Sequence, residues 1–183
     1  LPFNRADVPN LPTTGNLMSG ISFIGWLHTL GSLPAIPAAI YMFARSGRIV
    51  PRSRLGLLYL VCMLIGAGTV FLVTQQAAGY AVGALTLLFL AVGYGAGHVP
   101  VLKRGSSYIE TIALTLTFFL LMVPTATETL RRLPPGDPVV SSLQSPLLRG
   151  VHLALLASLV VGLTIQIVRL RRRKGASGQS DPL

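Results

Sequence analysis

The sequence predicts an all-α integral membrane protein built as a five-transmembrane-helix bundle. Three observations predict it: apolar residues come in five long runs, turn formers or basic residues separate those runs, and positive charge alternates between their ends. Hydrophobic residues make up 51% of the 183 residues and charged ones only 11%, where a water-soluble domain carries roughly 25% charged. Crossing a bilayer core of ~30 Å takes roughly 20 apolar residues as a helix, and hydrocarbon leaves the backbone no other partner than itself.

The spans fall at about 20–43, 55–74, 80–98, 108–126 and 149–168. Ser46-Gly47-Arg48 and Pro51-Arg52-Ser53-Arg54 separate the first two, and Gln75 to Gly79 makes a tight turn between the second and third. Val99-Pro100 through Ser107 divides the third from the fourth, and Leu133-Pro134-Pro135-Gly136-Asp137-Pro138 stops the fourth. Within the first span Pro34 and Pro37 each remove a backbone hydrogen bond, which is expected to kink the helix and free the carbonyls of Leu30 and Leu33. Residues 1–19 form an N-terminal arm and 169–183 a basic, flexible tail; 131–148 is a Pro- and Ser-rich surface loop.

Five crossings place the termini on opposite sides. One side collects Arg45, Arg48, Arg52, Arg54, Lys103, Arg104, Arg169, Arg171, Arg172, Arg173 and Lys174, 11 of the 15 basic residues; Arg5, Arg131, Arg132 and Arg149 lie on the other. The positive-inside rule then puts the C-terminus in the cytoplasm and the arm outside. The expected location is the cell membrane, specifically a bacterial inner membrane, with lipid bilayer as the principal partner. The opening residues carry no basic segment followed by an apolar one, so no signal peptide is expected there. The formal net charge of +10 follows membrane topology, and no nucleic-acid partner is expected. The basic cluster Arg169 to Lys174 is suited to an anionic leaflet. Cys62, the single cysteine, sits inside a span and reads as a packing residue.

Small residues mark the faces on which membrane helices pack. On the third span Gly79, Gly83, Thr86, Leu90, Gly93 and Gly97 share one face; on the fifth, Ala154, Ser158, Gly162 and Gln166 recur at steps of four. Gly25, His28, Ser32, Ala35 and Ala39 share a face of the first, which turns His28 toward the other helices.

Three groupings could carry chemistry. His28, roughly 10–12 Å in, and His152, roughly 4–6 Å in, are at similar depth by helix rise and could ligate haem b, although His152 lies about 200° around its helix from Ala154. With Gln75, Gln76, Tyr80, Thr125, Thr127 and Glu128 at the same level they could also hold a metal ion or a quinone headgroup. At the opposite surface His98, Lys103, Arg104, Tyr108 and Glu110 cluster; Glu110 either pairs with Lys103 or Arg104 and caps its helix, or carries protons. No phosphate loop, nucleophile–base arrangement or metalloprotease motif is present.

The run Leu27-His28-Thr29-Leu30-Gly31, the basic link Gly47-Arg48 to Arg54 and Gly56-Leu57-Leu58-Tyr59 resemble the opening of some uncharacterised bacterial small polytopic membrane proteins over roughly the first 75 residues. A looser similarity is to b561-type haem-binding helix bundles, which would imply haem held by paired histidines; here the second and fourth spans carry none. The leading expectation is a non-catalytic integral subunit or scaffold, packing in its own oligomer or a larger membrane complex. The alternatives are a b-type haem electron carrier using His28 and His152, and a small proton-coupled transporter using Glu110.

Overall fold

The computed structural model describes residues 23–100, 105–134 and 139–177. It is all-helical over those residues: α1 Phe23–Ser32, α2 Ala35–Ser46, α3 Arg54–Val73, α4 Ala77–Gly95 with a 3-10 turn Ala96–His98, α5 Ser106–Arg132 and α6 Pro146–Ser177. Counting α1 and α2 as one interrupted crossing, five helices are long and apolar enough to span a membrane.

The interruption falls at Leu33-Pro34. Pro34 precedes the first turn of α2 and Pro37 lies within it, where amide protons have no intrahelical acceptor and proline costs least. Of the two carbonyls the sequence reading frees, that of Leu33 accepts here from the Ile36 amide at 3.1 Å. Ser32 Oγ donates to the His28 carbonyl at 2.7 Å, bonding the end of α1 back onto its own turn. At the end of α2, Gly47 takes the left-handed conformation, φ 72°, and its N–H caps the Phe43 carbonyl. Ser53 then starts α3 by accepting from the Gly56 amide.

In the bundle α3 packs against α1, α2 and α4, and α5 against α4 and α6. The core gathers Ala35, Ala39 and Met42 of α2, Tyr59, Cys62 and Met63 of α3, Leu90 of α4 and Leu114 of α5. Phe43 meets Phe118 edge to face at 5.3 Å, joining α2 to α5 across this core. Small residues set the approach distances. The buried residues of α4 are Gly83, Thr86, Leu90 and Gly93; Gly83 lies against Val70 and Phe71 of α3, Gly93 against Leu114 of α5. Gly79 packs on Thr74 in the preceding turn.

Two helices run past the span edges read from sequence. α5 continues through Pro124 for 27 residues, about 40 Å at the rise of a helix, and its last turn carries ion pairs from Glu128 to Arg132 and Arg131. α6 continues through Arg169–Lys174 to Ser177, where the sequence reading begins a flexible tail. Basic residues are good helix formers and favour a helix C-terminus, which explains the extension.

The α4–α5 contact generates a prediction. Gly93→Leu forces a side chain into Leu114 and should destabilise the bundle by about 1–3 kcal/mol, read as the midpoint of denaturant unfolding in mild detergent. An unchanged midpoint would contradict this packing.

Candidate functional site: a buried carboxylate at the basic end

Glu110 stands on the second turn of α5 and is 4% exposed. A carboxylate at that depth needs cationic and hydrogen-bonding partners. Arg52, in the link before α3, donates from Nη1 to Glu110 Oε1 at 3.0 Å. Arg48, just after α2, brings its Nη1 to 3.7 Å from Oε2. That Arg48 nitrogen is itself buried and makes no hydrogen bond. The link that carries both arginines is thereby tied to the start of α5.

Gly97 makes room for the arrangement. A methyl group added there would collide with the Arg52 guanidinium and crowd Glu110 Oε1. Gly56, buried in the first turn of α3, presents its carbonyl to the Tyr94 hydroxyl, so α4 also engages the link region. The site therefore joins four segments: the α2–α3 link, the start of α3, the end of α4 and the start of α5.

Of the residues that sequence grouped here, His98 is exposed and its Nδ1 lies 3.2 Å from the Tyr94 carbonyl. Lys103 and Arg104, the partners expected for Glu110, lie outside the described residues. Arg48 and Arg52 lie 62 and 58 positions before Glu110, beyond the reach of any local pattern; their place in the basic link is the signal the sequence holds.

At the other end the two histidines engage different helices. His28 Nδ1 lies 3.0 Å from Thr69 Oγ1 of α3, and His152 Nε2 lies 2.9 Å from Thr127 Oγ1 of α5. Each threonine hydroxyl also hydrogen-bonds the preceding turn of its own helix, Thr69 to the Ile65 carbonyl and Thr127 to that of Val123. A bis-histidine haem needs two imidazoles opposed across a flat slot, whereas these are turned onto neighbouring helices, α3 and α5. The residues present do not fit that group.

Tyr80 stacks on Phe71 at 5.9 Å, and Gln75 and Gln76 are exposed. Thr125 bonds the Leu121 carbonyl, and Glu128 is engaged by Arg131 and Arg132. No group of three or more His, Cys, Asp or Glu side chains able to hold a metal ion occurs among the described residues. On α6, Gln166 is buried and accepts from Thr115 at 2.9 Å, while Ala154 is exposed and Gly162 has open space beside it.

Helix number, length and apolarity define a multi-pass α-helical membrane protein. No protein-family model, curated protein or solved structure matches the chain.

Removing the carboxylate charge leaves a buried Arg48 nitrogen facing no anion. Glu110→Gln should lower stability by about 1–3 kcal/mol, moderated because Arg52 can turn to water. Gly97→Val, which displaces Arg52, should act through the same contact. The double variant should then fall well short of the sum of the singles in unfolding measurements; full additivity would separate Gly97 from the ion pair.

Proposed function

We propose that this protein is a non-catalytic integral membrane subunit whose last helix docks onto a transmembrane helix of another subunit, within its own oligomer or a larger membrane complex. One observation carries the reading. On α6, Gly150, Ala154, Ala157, Val161, Thr164 and Val168 follow one another at steps of four and three, and all are exposed. Steps of four and three keep residues on a single seam, the spacing by which two helices interlock. Four of them, Gly150, Ala154, Ala157 and Thr164, are of the sizes found at membrane helix contacts, where close backbone approach replaces the hydrophobic effect.

The rest of α6 agrees with that reading. Only 6% of its most apolar stretch is buried within the chain, against 22–33% for the other four crossings. Its contact with α5 is made by the opposite side, through His152 and Gln166, so the seam faces away from the bundle. Glu110, held by two arginines, serves as an anchor of the fold in this reading and not as a proton carrier. We further assign the end bearing Arg48, Arg52 and Arg169 to the cytoplasmic face of a cell membrane, by the excess of basic residues there.

Cross-linking in native membranes tests the docking. In a Cys62→Ala background, Ala157→Cys and Thr164→Cys should each give an oxidised adduct, of twice the chain mass for a self-oligomer and of another mass for a complex. Leu159→Cys, on the opposite side of the helix, should give none. The reading fails if both seam cysteines stay at single-chain mass and the particle released by mild detergent holds one chain.

A further inference from the structure

A second surface of α6, on the flank of its contact with α5, forms one wall of a cleft of about 400 Å³ between α2, α5 and α6. That is the size of a small-molecule pocket. Its long walls are apolar, with Phe43, Phe119, Met122 and Leu159 among them. Gly162 opens the wall: a side-chain carbon added there would meet nothing within 4 Å.

One end of the cleft is chemically different. Gly47, Gln166 and Arg169 line it and also line a recess of about 20 Å³ that adds Arg48 and Arg173. The absence of a side chain at Gly47 lets Arg169 come close, since an added carbon would lie 3.2 Å from Arg169 Nη1. The acidic side chains among the described residues are Glu110 and Glu128. Glu110 is held by Arg52 and Arg48, and Glu128 by Arg131 and Arg132. Among the described residues, Arg169 and Arg173 have no ion-pair partner, whereas the buried Nη1 of Arg48 faces Glu110.

An apolar trough that ends in three arginines, two without an acidic partner, is complementary to one kind of molecule. We propose that the α2–α5–α6 cleft binds an anionic phospholipid, with an acyl chain along Phe43, Phe119 and Leu159 and the phosphate against Arg169 and Arg173. Basic recesses between membrane helices are suited to such headgroups, and guanidinium groups match phosphate oxygens in pairs. The cleft lies at the side of the bundle, so a lipid can enter from the bilayer. The site is distinct from the outward seam of α6 and does not depend on the docking proposed for it.

Native mass spectrometry of the full chain in mild detergent, titrated with phosphatidylglycerol, phosphatidylcholine or inorganic phosphate, tests the assignment. Phosphatidylglycerol should be retained at least tenfold better than phosphatidylcholine, and inorganic phosphate should not displace it. Arg169→Gln with Arg173→Gln, both at exposed positions, should reduce retention to the phosphatidylcholine level. Arg171→Gln with Arg172→Gln, an equal loss of charge outside the cleft, should leave it unchanged. Gly162→Phe should weaken retention with every arginine in place. Equal retention of the two lipids would overturn the proposal, as would full retention in the Arg169/Arg173 variant or in Gly162→Phe. Displacement by inorganic phosphate would overturn it too, by showing an ion site with no role for the chain.

Discussion

Hydrocarbon offers no hydrogen bonds, and that one property of the solvent constrains every feature of this chain. Backbone groups close on themselves as helices, and at the break the Leu33 carbonyl is taken up by the Ile36 amide. Polar side chains at depth follow the same logic. Tyr59 and Thr117 pair at 2.8 Å between α3 and α5, Thr115 binds Gln166 between α5 and α6, and His28 and His152 are each taken by a threonine of the adjacent helix. These contacts fix which helices are neighbours and in what register, a role that the weak apolar contrast between helix and lipid cannot fill.

Charge is organised by the same rule. Glu110, a deeply buried carboxylate, is sandwiched by arginines of the α2–α3 link, with Gly97 shaped to admit one of them. Since breaking such a pair costs more than never having built it, the contact locks the link to α5 and gathers four segments at one end of the bundle. That end also holds Arg169 and Arg173, so structural anchoring and surplus positive charge meet there. α6 reaches this region from the side, resting on α5 and leaving an open cleft against α2.

How much of this was legible in the sequence depended on whether the signal was local. Helix number came from summed apolarity over windows, a property that needs no knowledge of neighbours. The ends were harder: nothing in Arg169–Lys174 distinguishes a continuing helix from a solvated tail until the length of α6 is seen. Glu110 drew attention as a lone acidic residue, but its described partners lie 58 and 62 positions earlier, while sequence reasoning reached for Lys103 and Arg104 beside it. On α6 the steps-of-four reading joined Ala154, Ser158 and Gly162 in one stripe. The structure distributes them, with Ala154 on the outward side and Ser158 and Gly162 on the cleft wall. The exposed seam through Ala157 and Thr164 emerges only once the side occupied by α5 is known.

Alternation of the chain across the bilayer is the claim beneath all of this, and labelling single cysteines with a membrane-impermeant thiol reagent tests it most directly. In a Cys62→Ala background, Gln76→Cys and Ser142→Cys should react in intact cells. Ser46→Cys and Ser177→Cys should react only after the membrane is opened. Labelling of Ser46 and Ser142 from the same side would contradict the account.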